Sequence, residues 1–507
     1  MTFLFISKFM KNKLLLLAAL VLPLAGQAQQ KTKVKYKAAK VPATDARAAI
    51  KEADIKRDLF ALGGNHFRGR EAGTLDELKA SVWLADQIRA TGALPAGDDG
   101  TYFQWFNIQR TRLTKASSLT IGSHALKVNH DAILFAPLNA SVNAPMVWVG
   151  NATPAELAKV DVKGKAVAMQ FGGDVTPGLS FRRYQMATMR DRSAELVKAG
   201  AVAVVIVGDA RAQAVFEHWG HTYERGRYDL PGGPNVKVNS GAPTIWLPVS
   251  AASWAQQPGQ QFVANLQLES FAYPSVNIVA KIPGMDAQLK SQNVLFSTHQ
   301  DHDGVREAVA GDSIYNGADD NATGCAAVLA LMRAFKQKPA RRTALFVFHG
   351  AEERGLLGSR YYSANPTVPQ SSIVAVLNAE MMGRNAPDSA ALLGRQRPHR
   401  NSVELVNMAL AANHAGPKFK LDTLWDRADH PEGWYFRSDH LPYARLGIPS
   451  VMYTSVLHVD YHTPRDEPER IDYPKLTNMT RWMYLTGWAV ANRNAPPGRD
   501  PNFKLER

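Results

Sequence analysis

Thr343-Ala-Leu-Phe-Val-Phe-His-Gly-Ala-Glu-Glu-Arg-Gly355 joins an apolar run to two adjacent carboxylates, Glu352 and Glu353. The run Thr343–Phe348 reads as a buried strand, because it is short, apolar and bounded by glycine. Like charges placed just past a buried strand repel. They need a cation beside them, or a proton on one of them. A metal ion with an attacking water meets both needs: one carboxylate ligates while its neighbour acts as general base. A solvated loop is the plain alternative for an isolated Glu-Glu pair, so the surrounding sequence has to decide.

Outward from this stretch, strands alternate with helices. Strands are expected at Val276–Ile282, Val294–Thr298, Ile373–Leu377 and Ser450–Tyr453, and helices at Ala322–Lys336, Gly358–Ser363, Ser402–Asn413 and near Leu476–Ala491. The alternation predicts an α/β fold with a mixed, mostly parallel central sheet flanked by helices. Residues 45–110 are expected to be helical. Ser81-Val-Trp-Leu-Ala-Asp-Gln-Ile-Arg spaces its apolar residues helically, with Gly92 as the stop. The texture between 115 and 271 differs. Short β runs at Met146–Val149, Ala166–Gln170, Ala201–Val207 and Thr244–Val249 surround one helical stretch, Phe181–Ala199. This predicts an inserted β-rich domain, with the main domain formed by 45–114 and 272–495 and a tail at 496–507. A chain of 507 residues has room for both.

The amino terminus reads as an export signal. Lys8, Lys11 and Lys13 precede the apolar run Leu14–Leu24, followed by the small residues Gly26 and Ala28. That run is too short to span a bilayer but fits a signal peptide. Cleavage is expected after Ala28, with 29–44 as a flexible lead-in and the mature protein in the periplasm or outside the cell. No later segment reads as a membrane anchor. The single cysteine, Cys325, forbids an intrachain disulfide and any cysteine-rich zinc site, so a metal here must use histidine and carboxylate. The formal charge of +14 is scattered among acids with no aromatic-interleaved basic stripe, which argues against a nucleic-acid partner.

In open α/β sheets, sites form at the carboxyl ends of strands. His299 follows the strand Val294–Thr298, Glu380 follows Ile373–Leu377, and His462 lies on the loop after Ser450–Tyr453. Asp320 sits in Gly317-Ala-Asp-Asp-Asn-Ala-Thr-Gly, an acidic turn opening into a helix. Two histidines and three carboxylates form an oxygen-rich set suited to paired zinc or similar divalent ions. Asp320 could bridge two ions, with His299 and Glu380 completing one and Glu353 and His462 the other. Glu352 would then face the bridging water. Asp301 is a candidate to hold the His299 ring. Asp439 is a candidate in the same outer layer or only a helix cap. Tyr461 could donate its phenol to the oxyanion or simply pack in the core.

The pieces Thr298-His-Gln-Asp, Gly317-Ala-Asp-Asp-Asn-Ala-Thr-Gly, Glu352-Glu-Arg-Gly-Leu-Leu-Gly-Ser, Asn378-Ala-Glu-Met-Met-Gly and Tyr461-His-Thr-Pro-Arg-Asp, in that order, resemble the dizinc aminopeptidase family. Secreted bacterial aminopeptidases, glutamate carboxypeptidase II and glutaminyl cyclases belong to it. The resemblance implies a zinc-exopeptidase fold, a peptide substrate and two zinc ions on His299, Asp320, Glu353, Glu380 and His462. It also implies Glu352 as general base, Tyr461 as a stabiliser of the tetrahedral intermediate, and a protease-associated-like insert. The family carries Asp where this chain has Glu380, one methylene longer. Rival expectations are a carboxypeptidase of the same fold, a single-zinc glutaminyl cyclase-like acyltransferase, and a non-enzymatic binding module.

Overall fold

The computed structural model describes residues 45–506 apart from 173–180 and 239. The expected signal peptide and lead-in lie outside the described residues. At the centre is a sheet with strand order Lys420–Asp422, Ser389–Leu393, Ser450–Thr454, Ile373–Glu380, Asn293–His299, Thr343–His349, Leu268–Ile282, Phe103–Leu113 and Arg227–Asp229, with Leu94–Pro95 paired on Leu268–Ile282. Parallel pairing is confined to the four strands from Ser450–Thr454 to Thr343–His349 and to one edge pair. Those four central strands all end at one edge of the sheet, which is where the candidate residues gather.

The central strands are buried on both faces, and their side chains divide by alternation. Val294, Phe296, Ala344, Phe346, Phe348, Ala375 and Leu377 join one core cluster, with the helices Glu52–Leu62, Leu75–Thr91, Thr323–Gln337, Val403–Ala415 and Tyr473–Asn492. Leu295, Leu345, Val347 and Val376 face the other side, against Tyr362 and Tyr443 of the helices Leu357–Ala364 and His440–Arg445. The helix ends carry local signals. Thr74 accepts the amide of Glu77, Asp472 accepts that of Lys475, and Gly92 closes its helix at φ +77°.

One expectation fails in this part. The helical reading of 45–110 holds only to Thr91, because Phe103–Leu113 is a strand. It pairs along its whole length with Leu268–Ile282, as a long antiparallel ribbon. The boundary drawn after 271 falls inside that second strand. Within 118–266 lies a separate eight-stranded sheet, ordered His124–Leu126, Ser118–Ile121, Gln261–Leu266, Ala140–Trp148, Ala166–Gln170, Ala203–Val207, Thr244–Leu247 and Ile133–Leu134. Its two faces have their own apolar clusters, centred on Val205 and Ile206. Among the described residues no helix is long and apolar enough to cross a membrane.

Candidate metal centre

The five metal-capable residues converge where the four central strands end. His299 and Glu380 are the last residues of their strands. Glu352 and Glu353 occupy a one-turn 3-10 helix after Thr343–His349, entered through Ala351 at φ +55°. Asp320 was expected at a rigid helix start. It lies instead in an irregular turn, Ala318–Ala322, with non-helical angles of −107° and 84°. The turn is held from outside: Asp466 accepts the amides of Asp319 and Asp320 at 3.0 and 3.1 Å. Asn321 accepts the amide of Gly324, in the first turn of the helix that follows, at 3.1 Å.

Asp320 stands between the two histidines. Its Oδ1 is 3.2 Å from His299 Nε2, and its Oδ2 is 3.1 Å from His462 Nε2. On one side Glu380 Oε1 is 3.4 Å from His299 Nε2. On the other Glu353 Oε1 is 3.2 Å from His462 Nε2. Zinc bonds of about 2.0–2.2 Å in a tetrahedron leave donor atoms roughly 3.2–3.5 Å apart, so these separations fit a divalent ion on each side of Asp320. The adjacent glutamates part company: Glu352 falls with His299 and Glu380, Glu353 with Asp320, His462 and a further histidine, His302. In each group the ligand atoms lie within 4.8 Å of one another.

The electrostatics are those of an acid-rich pocket. Burial opposes protonation of His299 and His462, yet the carboxylates around them hold both well above the usual histidine range. Burial, with Glu353 and Glu380 nearby, pushes Glu352 well up against the pull of His299. Burial likewise raises Glu380. It would also raise Glu353, but His462 and His302 hold that carboxyl well below its usual range. The raised His299, His462 and Glu352 mark a concentration of negative charge that a divalent cation would offset.

The surrounding layer corrects two expectations. Asp301 does not hold the His299 ring with its carboxylate: its backbone carbonyl accepts from Nδ1 at 3.1 Å, while the carboxylate is 3.8 Å away. That carboxylate instead accepts the amides of Glu352 and Glu353, at 3.0 and 3.3 Å, and so fixes the turn that splits the pair. Asp439 starts the helix His440–Arg445 but makes no cap bond. It is fully buried, and its pKa is pushed up to about 7, first by burial, against the pull of His299. The Tyr461 ring stacks on His462, with centroids 3.9 Å apart, and its hydroxyl accepts from Arg437 at 3.0 Å. Cys325 is buried, its thiol pushed up to about 12 by burial and directed at the His299 carbonyl, so it is no nucleophile. Of the arginines near the motifs, Arg384 pairs with Asp460 and Arg427 with Asp429. Arg437 alone of the three reaches Tyr461.

Three contributors escaped the sequence reading. Asp303 Oδ2 lies 3.2 Å from His462 Nδ1, which leaves Nε2 to face Asp320. His302 Nδ1 lies 2.8 Å from Glu353 Oε1. Both belong to the run His299-Gln-Asp-His-Asp303, whose density of histidine and aspartate was the available signal. The third is Ser438, whose hydroxyl donates to Glu380 Oε2 at 2.5 Å and accepts from Asn378 at 2.7 Å. With Oε2 tied, Glu380 offers one oxygen, Oε1, towards His299, which absorbs its extra methylene. Ser438→Ala should therefore weaken divalent-ion binding on the His299 side by about 10- to 100-fold, leaving the other side unchanged. Titration of the metal-free variant with Zn²⁺ against a chromophoric chelator checks this, and two unaltered affinities would refute it.

An α/β sheet with paired histidine–carboxylate sets at its strand ends presents a candidate site for divalent metal ions. Residues 277–486 match the model of peptidase family M28. Aminopeptidase YwaD of Bacillus subtilis (strain 168) is 26% identical over 326 residues, covering 62% of this chain and 60% of that protein. Leucine aminopeptidase 1 of Penicillium rubens is 28% identical over 240 residues, covering 44% and 59%. The chain thus spans about three fifths of the length of these curated relatives. The solved structure of a zinc aminopeptidase from Bacillus subtilis matches with a TM-score of 0.56 at 19% identity, over 88% of this chain and 97% of that one, which is a likeness of fold.

Proposed function

We propose that this protein is an exported, two-zinc exopeptidase that acts as an aminopeptidase. The observation that carries the reading is Asp320, with one oxygen on each histidine at 3.2 and 3.1 Å and a glutamate completing each side. The relatives named above are aminopeptidases, which favours release of an amino-terminal residue.

His299, Asp320 and Glu380 would hold one ion, and Asp320, Glu353 and His462 the other. Zinc, when bound, supplies an acidified water and a polarised substrate carbonyl. Glu352, on the Glu380 side, would be the general base for the attacking water and the carrier of its proton to the leaving amine. Arg437 donates to the Tyr461 oxygen, which leaves the phenol O–H to donate to the oxyanion, and burial keeps the phenol protonated against the pull of Arg437. Asp301 holds the Glu352 backbone while this proton moves. The segment 115–271 is the protease-associated-like part at the mouth of the site. Its Arg225 donates to the Asp303 carbonyl at 3.2 Å and pairs with Glu71, which ties it to the loop that orients His462.

The test is metal analysis combined with a panel of peptides carrying free or blocked termini. Two zinc ions per chain and release of residues only from peptides with a free amino terminus are expected. Cleavage that needs a free carboxylate instead, or cyclisation of an amino-terminal glutamine with loss of ammonia, would overturn the aminopeptidase reading.

A further inference from the structure

His302 has no part in the chemistry just described, yet its ring is packed against the residues that do. It is fully buried, and neither ring nitrogen has a hydrogen bond of good geometry. An imidazole desolvated without partners is costly, so a buried one of this kind needs something at its nitrogens. Nδ1 points at the site: it is 2.8 Å from Glu353 Oε1 and 3.8 Å from Asp320 Oδ2. The ring meets His462 edge-on, with centroids 5.3 Å apart and planes at 89°.

The position is built. Gly317 has φ +57°, and a Cβ there would lie 2.3 Å from the His302 ring and 2.2 Å from the Asp320 carbonyl oxygen. A glycine is therefore what lets the ring reach the site. The backbone of His302 is held as well, its amide donating to the Arg70 carbonyl at 3.3 Å. Four donor atoms, from His302, Asp320, Glu353 and His462, then lie within 4.8 Å of one another.

We propose that His302 is a fourth protein ligand, through Nδ1, to the ion held by Asp320, Glu353 and His462. This rests on the metal reading of the site. The two ions then sit in unequal sets. The His302 side offers two imidazoles and two carboxylates, a full tetrahedral complement that binds tightly and favours zinc or cobalt. The His299 side offers one imidazole and the carboxylates of Asp320 and Glu380, and keeps a position open for substrate. Loading with metal is consequently stepwise, and the His302 side fills first.

Each ligating histidine would retain one exchangeable ring N–H: Nδ1 of His299 towards the Asp301 carbonyl, Nδ1 of His462 towards Asp303, and Nε2 of His302. Proton spectra of the full chain loaded with Co²⁺, in H₂O and in D₂O, count them directly. Three strongly shifted exchangeable signals are expected in the wild type. In His302→Gln one of them should vanish, with the tighter Co²⁺ affinity weakened by roughly 100-fold. Two signals in a wild type that binds two Co²⁺ would make His302 a mere hydrogen-bonding neighbour of Glu353 and end the proposal, while the two-metal reading survived. Failure to bind Co²⁺ at all would end both. The wild-type count decides even if the variant does not fold.

Discussion

Glu352→Ala should keep the metal content of the wild type, two ions per chain on the proposed reading, and lower kcat by about 10³-fold, within the range for loss of a general base. The reason the two effects separate lies in the backbone. Asp301 grips the amides of Glu352 and Glu353, and those bonds do not involve the Glu352 side chain. Removing that side chain leaves the turn intact, so Glu353 keeps its place beside His462. Glu352 also shares its group with His299 and Glu380, which gives the experiment a second edge. If Glu352 were a ligand, its loss would release the ion on that side, and metal analysis would show one equivalent in place of two. Near-normal turnover would refute its role as base. Metal content and kcat measured on one preparation distinguish the three results.

Much of the candidate site was legible because its residues lie where the strand pattern stops. His299 and Glu380 end strands, and the glutamate pair follows one, so a correct reading of apolar runs located them. The outer layer was harder. Asp301 has the right residue type at the right distance along the chain, but the bend after His299 turns its carbonyl to the ring and its carboxylate to the opposite loop. A two-residue offset cannot reveal which end of an aspartate will arrive. His302 and Asp303 were overlooked for a related reason. His299 and Asp301 were given roles in that run and His302 and Asp303 none, although both are as buried as core side chains.

The fold shows the same division. Phe103–Leu113 was absorbed into a helical region because its buried phase begins with a polar residue. Gln104, Phe106 and Ile108 point inward, while Trp105 is 46% exposed, which blurs the period-two alternation. Gln104 is satisfied inside by Asn277 and by the Asn365 carbonyl, contacts made by residues far along the chain. Glu380 is a further case. Sequence alone shows the extra methylene but not Ser438, whose hydroxyl occupies its second oxygen.

Arg70→Met should cost about 4 kcal/mol of stability, within the usual penalty for removing one partner from a buried charged network, and should strip the site of both ions. Arg70 is fully buried, and its guanidinium donates to four backbone carbonyls: Gln300 at 2.7 Å, Leu62 at 2.8 Å, Asn316 at 2.7 Å and Gly317 at 3.0 Å. These acceptors lie on the helix end before the site, on the loop after His299, and on the turn leading to Asp320. No other side chain among the described residues donates to all of them. Methionine matches the volume of the stem but leaves the carbonyls desolvated and unpaired, at about 1–3 kcal/mol each before relaxation. The loops must then open to water, and the gap that Gly317 keeps for His302 opens with them. Lysine is no rescue, since one ammonium cannot reproduce a planar fork with donors pointing several ways. Arg70→Lys is accordingly expected to bind metal poorly as well. Chemical denaturation and metal analysis of both variants check the argument. Full metal content in Arg70→Met, with stability close to that of the wild type, would show that the loops hold the site without the guanidinium.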